Sequence, residues 1–450
     1  MINFCIGTKK GVYNIMKKLK IIYATFLLFP LINLLTGLMT RYINFPLTIG
    51  VIIRIALLLF LVMYVFFLSK SKYKKMTIIY FVTIAIFAIG YFITKPEYFN
   101  LRSIYNECNT MFKFMYFPVL LFGMINLCDE YGFDEKKWQK ILLFGLIFYV
   151  IFIILPIILQ SSFNSYVREE NGLVGWFYAA NEVGPILLML YPTTFMLLDK
   201  HKIWFLIIST LSIFSALAIS TKVITLGLGI VIFAYILFYL IFNRKKYINK
   251  LFLMIIAAVY IILYSPIGDT LYWNLERYNS NEPPIIIDKD PDKSDDINIP
   301  NNDNSEPTES LNDFLTILLS NRNTRVLEIN DIYINSDGIN KLFGIGFYDI
   351  EKQENHIIEM DFLDIFYHYG IIGFLVLIFP YLFLSVNFIK SIKNKLFKLD
   401  LKSCYSILLL LLFLGISFVA GHVISAPAVS TFLIVYFLYI FNLLKPQSER

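Results

Sequence analysis

The sequence has little charge and few interruptions in its apolar runs. Of its 450 residues, 16% are charged, against roughly 25% in ordinary soluble domains. In contrast, 58% are hydrophobic and 17% aromatic. This composition argues against a soluble globular domain. Only four cysteines are present, and only Cys108 is predicted to face an oxidising compartment, so no disulfide framework is expected.

Motifs that mark nucleotide or metal chemistry are also lacking. The chain has no P-loop, no Gly-x-Gly-x-x-Gly after a strand, no Cys-x-x-Cys and no His-Glu-x-x-His. No cofactor is therefore expected. Its basic residues lie in separate loops and form no single patch, so nucleic acid is not expected as a partner. The energy for a reaction must then arrive in the substrate.

One acidic stretch has part of the pattern of a calcium loop. Asp288, Asp290 and Asp292 have the 1-3-5 spacing of an EF-hand. However, Lys293 and Ile299 stand where that loop needs Gly and Glu. We therefore expect a solvated acidic segment here and no metal site.

What the chain does have is a series of apolar runs of about twenty residues, each able to cross the roughly 30 Å hydrocarbon core of a bilayer. The pattern predicts an all-α polytopic membrane protein with about twelve transmembrane helices. The predicted spans are residues 20–39, 46–69, 76–94, 112–128, 139–160, 181–198, 203–220, 223–242, 249–265, 362–389, 403–420 and 423–444.

The basic loops predict how these spans are oriented. With a cytoplasmic N-terminus, the connections on that side read KSKYKK, DEKK, DKHK, NRKKYINK and KSIKNKLFKLDLK, and their excess of Lys and Arg follows the positive-inside rule. Both termini are therefore predicted to be cytoplasmic. The first run has no cleavage site, so it is expected to stay as an anchor in the cytoplasmic (inner or plasma) membrane.

One long extracytoplasmic loop divides the predicted topology. It covers residues 266–361, between an N-terminal bundle of about nine spans (1–265) and three C-terminal spans (362–450). Within the loop, residues 281–309 are acidic, rich in Pro, Asn and Ser, and nearly free of aromatics, which is typical of disorder. The later part of the loop has helical periodicity and a Gly-punctuated turn, so it is expected to fold.

Titratable residues crowd the start of the tenth predicted span, in HIIEMDFLDIFYHYG. Glu359, Asp361, Asp364 and His368 fall within ten residues, and spacings of three and four put the last three on one helix face. Charges next to hydrocarbon usually have a task or a partner. Capping of the helix dipole by the two aspartates is the alternative.

Several basic residues are candidates for binding an anion. Arg322 and Arg325 are three apart in a predicted helix and could present two guanidinium forks, although pairing with carboxylates of the loop is the alternative. Lys222 lies in a tight outer hairpin, where it could also snorkel to the interface. Arg168 precedes a Gly-rich segment and could be a surface charge. Arg54 lies about two turns inside the second span, where a structural ion pair is the alternative.

Several segments carry a resemblance to a known family. An Arg-Gly…Asn motif resembles REENGLVGWFYAANEVGPILLMLYP, which contains Arg168 and Asn181. The segment STKVITLGLGI occupies the position of a short Ser/Thr-Arg segment. NRNTRVLEINDIY and FGIGFYDI resemble a Gly-Arg…Trp segment and a Gly-x-Gly. EMDFLDIFYHYGIIGFLVLI matches His-Asn-x-x-Leu…Gly-Ile-Ile-Gly, registered on Gly370 and Gly373. Over residues 160–390 the chain resembles the O-antigen polymerase and ligase superfamily, Wzy-type polymerases in particular.

The resemblance implies a metal-independent membrane glycosyltransferase. Its donor and acceptor would be undecaprenyl-pyrophosphate-linked oligosaccharides, joined into an O-antigen or capsule-type polysaccharide on the outer face of the membrane. Membrane lipid, a chain-length regulator and a flippase are the further partners implied. A ligase that moves finished chains to another acceptor is one alternative. A lipid-linked oligosaccharide flippase or other transporter is another, but such proteins usually have two similar halves and short loops.

The chain departs from the family pattern at several positions. The register puts Glu359 at the family's His and Met360 at its Asn, Lys222 stands for an Arg, and a Trp after the Arg motif is missing. Because ligases depend on that His, its replacement favours a polymerase.

The resemblance and the residues together assign roles. Glu359 is predicted to be the general base for the acceptor hydroxyl, with Asp361 as the second choice. The residues predicted to bind the substrate pyrophosphate are Arg322, Arg325, Lys222 and Arg168. Those predicted to support the site are Asp364, His368, Asn181 and Arg54.

Residues 281–309 are predicted to serve only as a tether. Replacing them with a Gly/Ser linker of equal length should leave polymer production nearly unchanged, because their composition indicates no packed structure to lose. Polymer length and amount, measured on gels of surface glycan, would check this. Complete loss of polymer at normal membrane levels of the protein would contradict it.

Overall fold

Apolar helices make up most of the chain that the structure, a computed structural model, describes: residues 2–43, 48–95, 100–165, 172–198, 201–242, 319–349, 354–393 and 401–444. The helices before the long loop are α1 (Ile2–Tyr42), α2 (Ile49–Met63), α3 (Lys74–Ile93), α4 (Leu101–Tyr131), α5 (Glu135–Ile158), α6 (Ala180–Leu190), α7 (Pro192–Leu197), α8 (Lys202–Ile219) and α9 (Lys222–Phe242). Those after it are α10 (Arg322–Asn335), α11 (Gly338–Phe343), α12 (Asp361–Lys393), α13 (Leu401–Val419) and α14 (Pro427–Leu443).

Two short antiparallel hairpins lie between helices. Strands β1 (Phe163–Asn164) and β2 (Leu173–Gly175) pair after α5, and β3 (Tyr348–Asp349) and β4 (Glu354–Asn355) pair before α12. A π-helical turn, Tyr64–Leu68, continues α2.

The long apolar helices confirm an all-α polytopic membrane protein. Seven of the described helices are long and apolar enough to cross a membrane, and three shorter apolar helices lie within α9, α13 and α14. The span predicted at 249–265 and the disordered segment predicted at 281–309 lie outside the described residues. The cytoplasmic placement of both termini stays a prediction.

Three predicted spans have different bounds in the structure. The one predicted at 112–128 is the later part of α4, which begins at Leu101 and ends at Tyr131. The one predicted at 181–198 forms two helices, α6 and α7, on either side of Tyr191 and next to Pro192, since proline has no N–H to donate to a continuing helix. The last one, 423–444, is helical only from Pro427, because the preceding residues form a loop.

Helix α14 lies in the centre of the bundle. Its residues 428–441 are all buried, as expected for a helix that is apolar on every side. Its polar groups pair with neighbouring helices: Thr431 shares a 2.8 Å hydrogen bond with Tyr116 of α4, and Tyr436 donates to the Met189 carbonyl of α6. These contacts hold α4 and α6 against α14.

Helix α12 is interrupted at Gly370, where the backbone leaves the helical region with φ 67° and ψ −171°. The carbonyls of Tyr367 and His368, just before the break, accept the backbone N–H groups of Ile345 and Gly346 at 3.0 and 3.1 Å. Irregular backbone at membrane depth is tolerated where protein groups satisfy it. The loop after α11 therefore completes the interrupted helix.

Glycine is needed on both sides of this junction. A Cβ on Gly344, whose φ is +88°, would lie 2.0 Å from the His368 carbonyl oxygen. A Cβ on Gly370 would lie 2.4 Å from the Gly344 nitrogen. The FGIGFYDI and GIIG segments therefore meet backbone to backbone, with no room for side chains between them.

Gly370→Ala should destabilise the protein. The new Cβ would meet Gly344, and a non-glycine residue in the left-handed region costs about 1–3 kcal/mol. Gly415→Ala in α13 is the matched control, because a Cβ there meets nothing within 4 Å and Ala favours a helix by roughly 1 kcal/mol. The measurement is Tm in detergent, which should fall only for Gly370→Ala; equal Tm values would contradict the account of the junction.

Candidate active site

Asp361, the first residue of α12, holds the loop between α13 and α14. The side chain is 1% exposed, and five donors surround its carboxylate: three backbone N–H groups and two hydroxyls. They belong to His422 (3.1 Å), Val423 (3.0 Å), Ile424 (2.8 Å), Ser417 (2.7 Å) and Ser425 (2.5 Å). Both carboxylate oxygens are thus committed to the protein, and they set the backbone path at His422.

Asp364 plays the same part for the segment that precedes α12. Its two oxygens accept the N–H groups of Ile358 at 2.9 Å and Met360 at 3.1 Å. These are the neighbours of Glu359, which has a left-handed φ of 67°. His422 is also left-handed, with φ 57°. Such residues cost about 1–3 kcal/mol each and persist where their surroundings impose them, which the two aspartates do here.

The Glu359 side chain lies among three basic groups. Arg322 Nη2 donates to Glu359 Oε2 at 3.0 Å, and Arg325 Nη1 is 3.5 Å from Oε1. His422 Nε2 is 3.9 Å from Oε2. The two arginines are one turn apart on α10 and reach the same carboxylate. We refer to Glu359, Arg322, Arg325 and His422 as the Glu359 cluster.

Two tyrosines fix the helix that carries the arginines. The Tyr333 hydroxyl of α10 donates to the Lys341 carbonyl of α11 at 2.8 Å, and the Tyr367 hydroxyl of α12 donates to Asn330 Oδ1 at 3.1 Å. Burial raises the pKa of the Tyr333 phenol, so its hydroxyl remains a donor at neutral pH. Helix α10 is thereby tied to α11 and to α12.

His368 is fully buried beneath the cluster. Its Nδ1 is 2.9 Å from the Gly346 carbonyl oxygen, and its Nε2 is 3.4 Å from Asp364 Oδ1, an electrostatic contact rather than an aligned hydrogen bond. The imidazole therefore lies between the loop after α11 and the aspartate that holds Glu359.

The sequence reasoning missed Glu107, a fully buried residue of α4. Its Oε1 accepts the N–H groups of Phe347 and Tyr348, both at 2.7 Å, and its Oε2 accepts the Tyr91 hydroxyl at 2.8 Å. These donors satisfy the buried carboxylate, which lies in the part of α4 that precedes the predicted span. A lone Glu shortly before an apolar run is the same kind of signal as Glu359, and it could have been noted.

Lys222 and Asn181 lie on adjoining helices. Lys222 begins α9, Asn181 is the second residue of α6, and both are half-buried. A Cβ on Gly184 would lie 3.4 Å from Thr221 Oγ1, so the starts of the two helices are neighbours. Arg168 lies outside the described residues.

Arg54 is buried between α1, α2 and α5, at 6% exposure. Its Nη2 donates to Asn33 Oδ1 at 2.5 Å, and Asn33 Nδ2 donates to the Tyr149 hydroxyl at 2.7 Å. The ion pair considered as its alternative is not found within the part of the chain that the structure describes; its partners there are neutral. Arg54 therefore links three helices through polar contacts.

A family model described as O-antigen ligase like membrane protein matches residues 13–446. The chain belongs to this family. The match confirms the superfamily resemblance and extends it beyond residues 160–390 to nearly the whole chain. No curated protein and no solved structure shows significant similarity.

Membership places this O-antigen ligase-like protein in surface polysaccharide assembly. It is a multi-pass membrane protein, and its family is typically enzymatic, acting on lipid-linked saccharides. The Glu359 cluster lies where the sequence had placed the family's His-Asn motif. These facts give the coarse activity of the protein, that of a membrane enzyme in surface polysaccharide assembly.

Within the Glu359 cluster, His422 is the member that the sequence did not indicate. It is one of four histidines and lies in the short loop before α14, far from Glu359 in sequence. The signal available in the sequence was a glycine, Gly421, directly before it. In the structure Gly421 has φ 63°, and a Cβ there would lie 2.5 Å from the Glu359 carbonyl oxygen. The two loops therefore pack backbone to backbone.

Asp361→Asn should lower the stability of the protein. The amide NH₂ would face N–H and O–H donors in place of an acceptor oxygen, and each buried group left unsatisfied costs about 1–3 kcal/mol. Asp331→Asn, on the exposed side of α10, is the matched control. Tm in detergent should fall for Asp361→Asn and stay near the wild-type value for the control. Two variants with the same Tm would show that the Asp361 hydrogen bonds do not hold the loop.

Proposed function

We propose that this protein polymerises undecaprenyl-pyrophosphate-linked oligosaccharide repeat units into a surface polysaccharide of O-antigen or capsule type. The reaction takes place on the outer face of the cytoplasmic membrane. One observation carries the proposal: Glu359, at the motif position of the family's His, lies between two guanidinium groups at the start of α12. Fixed guanidinium groups suit stabilisation of a phosphate-bearing leaving group, and titratable side chains grouped beside them suit proton transfer.

Arg322 and Arg325 supply the anion-binding part of the proposed site. A guanidinium group presents a planar fork that matches phosphate oxygens, and charge-assisted bonds of this kind are stronger than neutral ones. Both guanidinium groups already converge on Glu359 from α10. Binding of a pyrophosphate would therefore cost little additional side-chain entropy. Lys222 and Arg168 are proposed as further pyrophosphate contacts. Asn181 and Arg54 are proposed as supports.

In the proposed reaction a sugar hydroxyl of the acceptor attacks the anomeric carbon of the donor. The O–H bond breaks as the new C–O bond forms. The bond from the anomeric carbon to the pyrophosphate oxygen breaks, and its electron pair leaves with undecaprenyl pyrophosphate. The guanidinium groups stabilise this leaving group, and the hydroxyl proton passes to a base within the Glu359 cluster.

Asp361 and Asp364 have positioning roles in this proposal. Asp361 accepts five hydrogen bonds from the protein, which leaves it poorly suited to the role of base that the sequence suggested as second choice. Asp364 fixes the backbone on both sides of Glu359, and His368 contacts Asp364 from below. Glu359 stays the central carboxylate of the proposed site.

A ligase is the second candidate, because the family description itself contains that activity. A ligase would use the same kind of donor and the same leaving group, and it would differ only in the acceptor. Glu359 in place of the family's His favours the polymerase, since ligases depend on that His.

Deleting the gene and sizing the lipid-linked glycans tests the proposed function. The expected result is accumulation of single repeat units on the outer face of the membrane, with polymer restored by the wild-type gene. Full-length chains left on undecaprenyl would instead identify a ligase. Units trapped on the cytoplasmic face would identify a flippase and overturn the proposal.

Arg322→Lys and Arg325→Lys should each lower the rate of polymer formation by about tenfold or more. A lysine keeps the charge, but it cannot reproduce a bidentate fork worth roughly 1.5–3 kcal/mol. Arg102→Lys, at an exposed position of α4, is the control and should polymerise like the wild type. The measurement is polymer formed from lipid-linked units in proteoliposomes. Wild-type rates from both variants would remove the arginines from the site.

A further inference from the structure

We propose that His422 takes the proton of the acceptor hydroxyl and that Glu359 orients His422 instead of accepting the proton itself. The inference rests on the proposed function and deepens it, because it names the base within the Glu359 cluster. It makes His422 a catalytic residue and Glu359 a positioning residue.

Exposure separates the two side chains. The His422 side chain is 30% exposed and the Glu359 side chain 11%. His422 Nε2 faces Glu359 and is itself buried, so the acceptor hydroxyl has to approach the imidazole at Nδ1. A base must come within hydrogen-bond reach of the proton that it removes. Of these two groups, the imidazole is therefore the one that an incoming sugar hydroxyl can reach more easily.

The partners of Glu359 also make it the weaker choice. Arg322 bonds one carboxylate oxygen at 3.0 Å, and Arg325 lies 3.5 Å from the other. Two nearby guanidinium groups stabilise the ionised form of a carboxylate and so reduce its tendency to take up a proton. An imidazole, in contrast, has two ring nitrogens, so one can accept a proton while the other contacts an orienting carboxylate.

The distance between His422 and Glu359 fits an orienting contact. His422 Nε2 lies 3.9 Å from Glu359 Oε2, longer than a hydrogen bond, and such contacts often tighten only when substrate is bound. A base that is itself oriented by a third group is a recurring arrangement in enzymes. The carboxylate also stabilises the imidazolium that forms when the proton arrives.

The backbone holds both residues in place. Glu359 and His422 each have a left-handed φ, and each lies beside N–H groups that an aspartate accepts, Asp364 for the first and Asp361 for the second. Strained residues that the fold imposes cluster at functional sites. The two strained residues here are those whose side chains face one another.

The proposed step balances without a further reactant. The acceptor oxygen loses its proton to the His422 imidazole and forms the glycosidic bond, while undecaprenyl pyrophosphate leaves with the electron pair of the broken bond. Among the described residues, Glu359 from the segment before α12 lies 3.9 Å from His422 Nε2, and Arg322 and Arg325 of α10 contact that carboxylate in turn. Asp361, in the first turn of α12, accepts the backbone N–H of His422.

The test compares His422→Asn with Glu359→Gln in proteoliposomes that contain a lipid-linked repeat unit. Asn is chosen because it tolerates the left-handed backbone of residue 422. His422→Asn should lower kcat by about 10²–10⁴-fold while KM stays near the wild-type value. His201→Gln, an exposed histidine before α8, is the matched control and should keep the wild-type kcat.

The dependence of kcat on pH provides a second readout, which holds even if one variant is obtained in low yield. The wild-type rate should rise with pH through one ionisation. Glu359→Gln should keep that rise but shift it to lower pH, because the imidazolium has lost its carboxylate. The residual kcat of His422→Asn should show no rise with pH.

Two outcomes would overturn the inference, and neither would overturn the polymerase. One is a wild-type kcat for His422→Asn. The other is a Glu359→Gln variant whose residual rate no longer depends on pH, which would return the role of base to Glu359. If the wild-type protein forms no polymer in the same assay, the proposed function fails. Because that result comes from the wild-type reaction alone, it is distinguished from a failure of the inference about His422.

Discussion

Two aspartate carboxylates that accept backbone N–H groups hold the candidate site together. Asp361 binds the loop before α14, and Asp364 binds the segment before α12. Five of their partners are fixed backbone N–H groups, so the geometry does not depend on solvent-exposed ion pairs, which are worth little. The acidic residues crowded at the start of this apolar helix thus have two different roles. Asp361 and Asp364 shape the backbone, whereas Glu359 presents its side chain to basic groups.

Local patterns in the sequence predicted the parts of the fold that local physics determines. The length of an apolar run was enough to find most spans, and a spacing of three was enough to put Arg322 and Arg325 on one side of α10. Spacing also put Asp361 and Asp364 on one face of α12. It could not tell whether their carboxylates would meet substrate or backbone, because that depends on loops far away in the sequence.

The features that the sequence did not predict are contacts between distant segments. His422 and Glu107 each reach their partners across many residues, and no periodicity connects such positions. The interruption of α12 is of the same kind: a glycine pair is visible in the sequence, but the loop that satisfies the freed carbonyls comes from before the helix. Broken helices of this type bring polar backbone to the membrane where a ligand can use it.

The hydrogen bond between Glu107 and the N–H of Phe347 joins residues 240 positions apart. At about 5–20 residues per second, synthesis takes roughly 10–50 s to pass from one to the other. During that time the carboxylate of α4 lacks two of its three donors, the N–H groups of Phe347 and Tyr348, and has only the Tyr91 hydroxyl. The loop that completes α12 closes only after the ribosome has made most of the chain. An unfinished polypeptide therefore carries no assembled site, and the order of synthesis itself delays chemistry until the whole bundle is inserted.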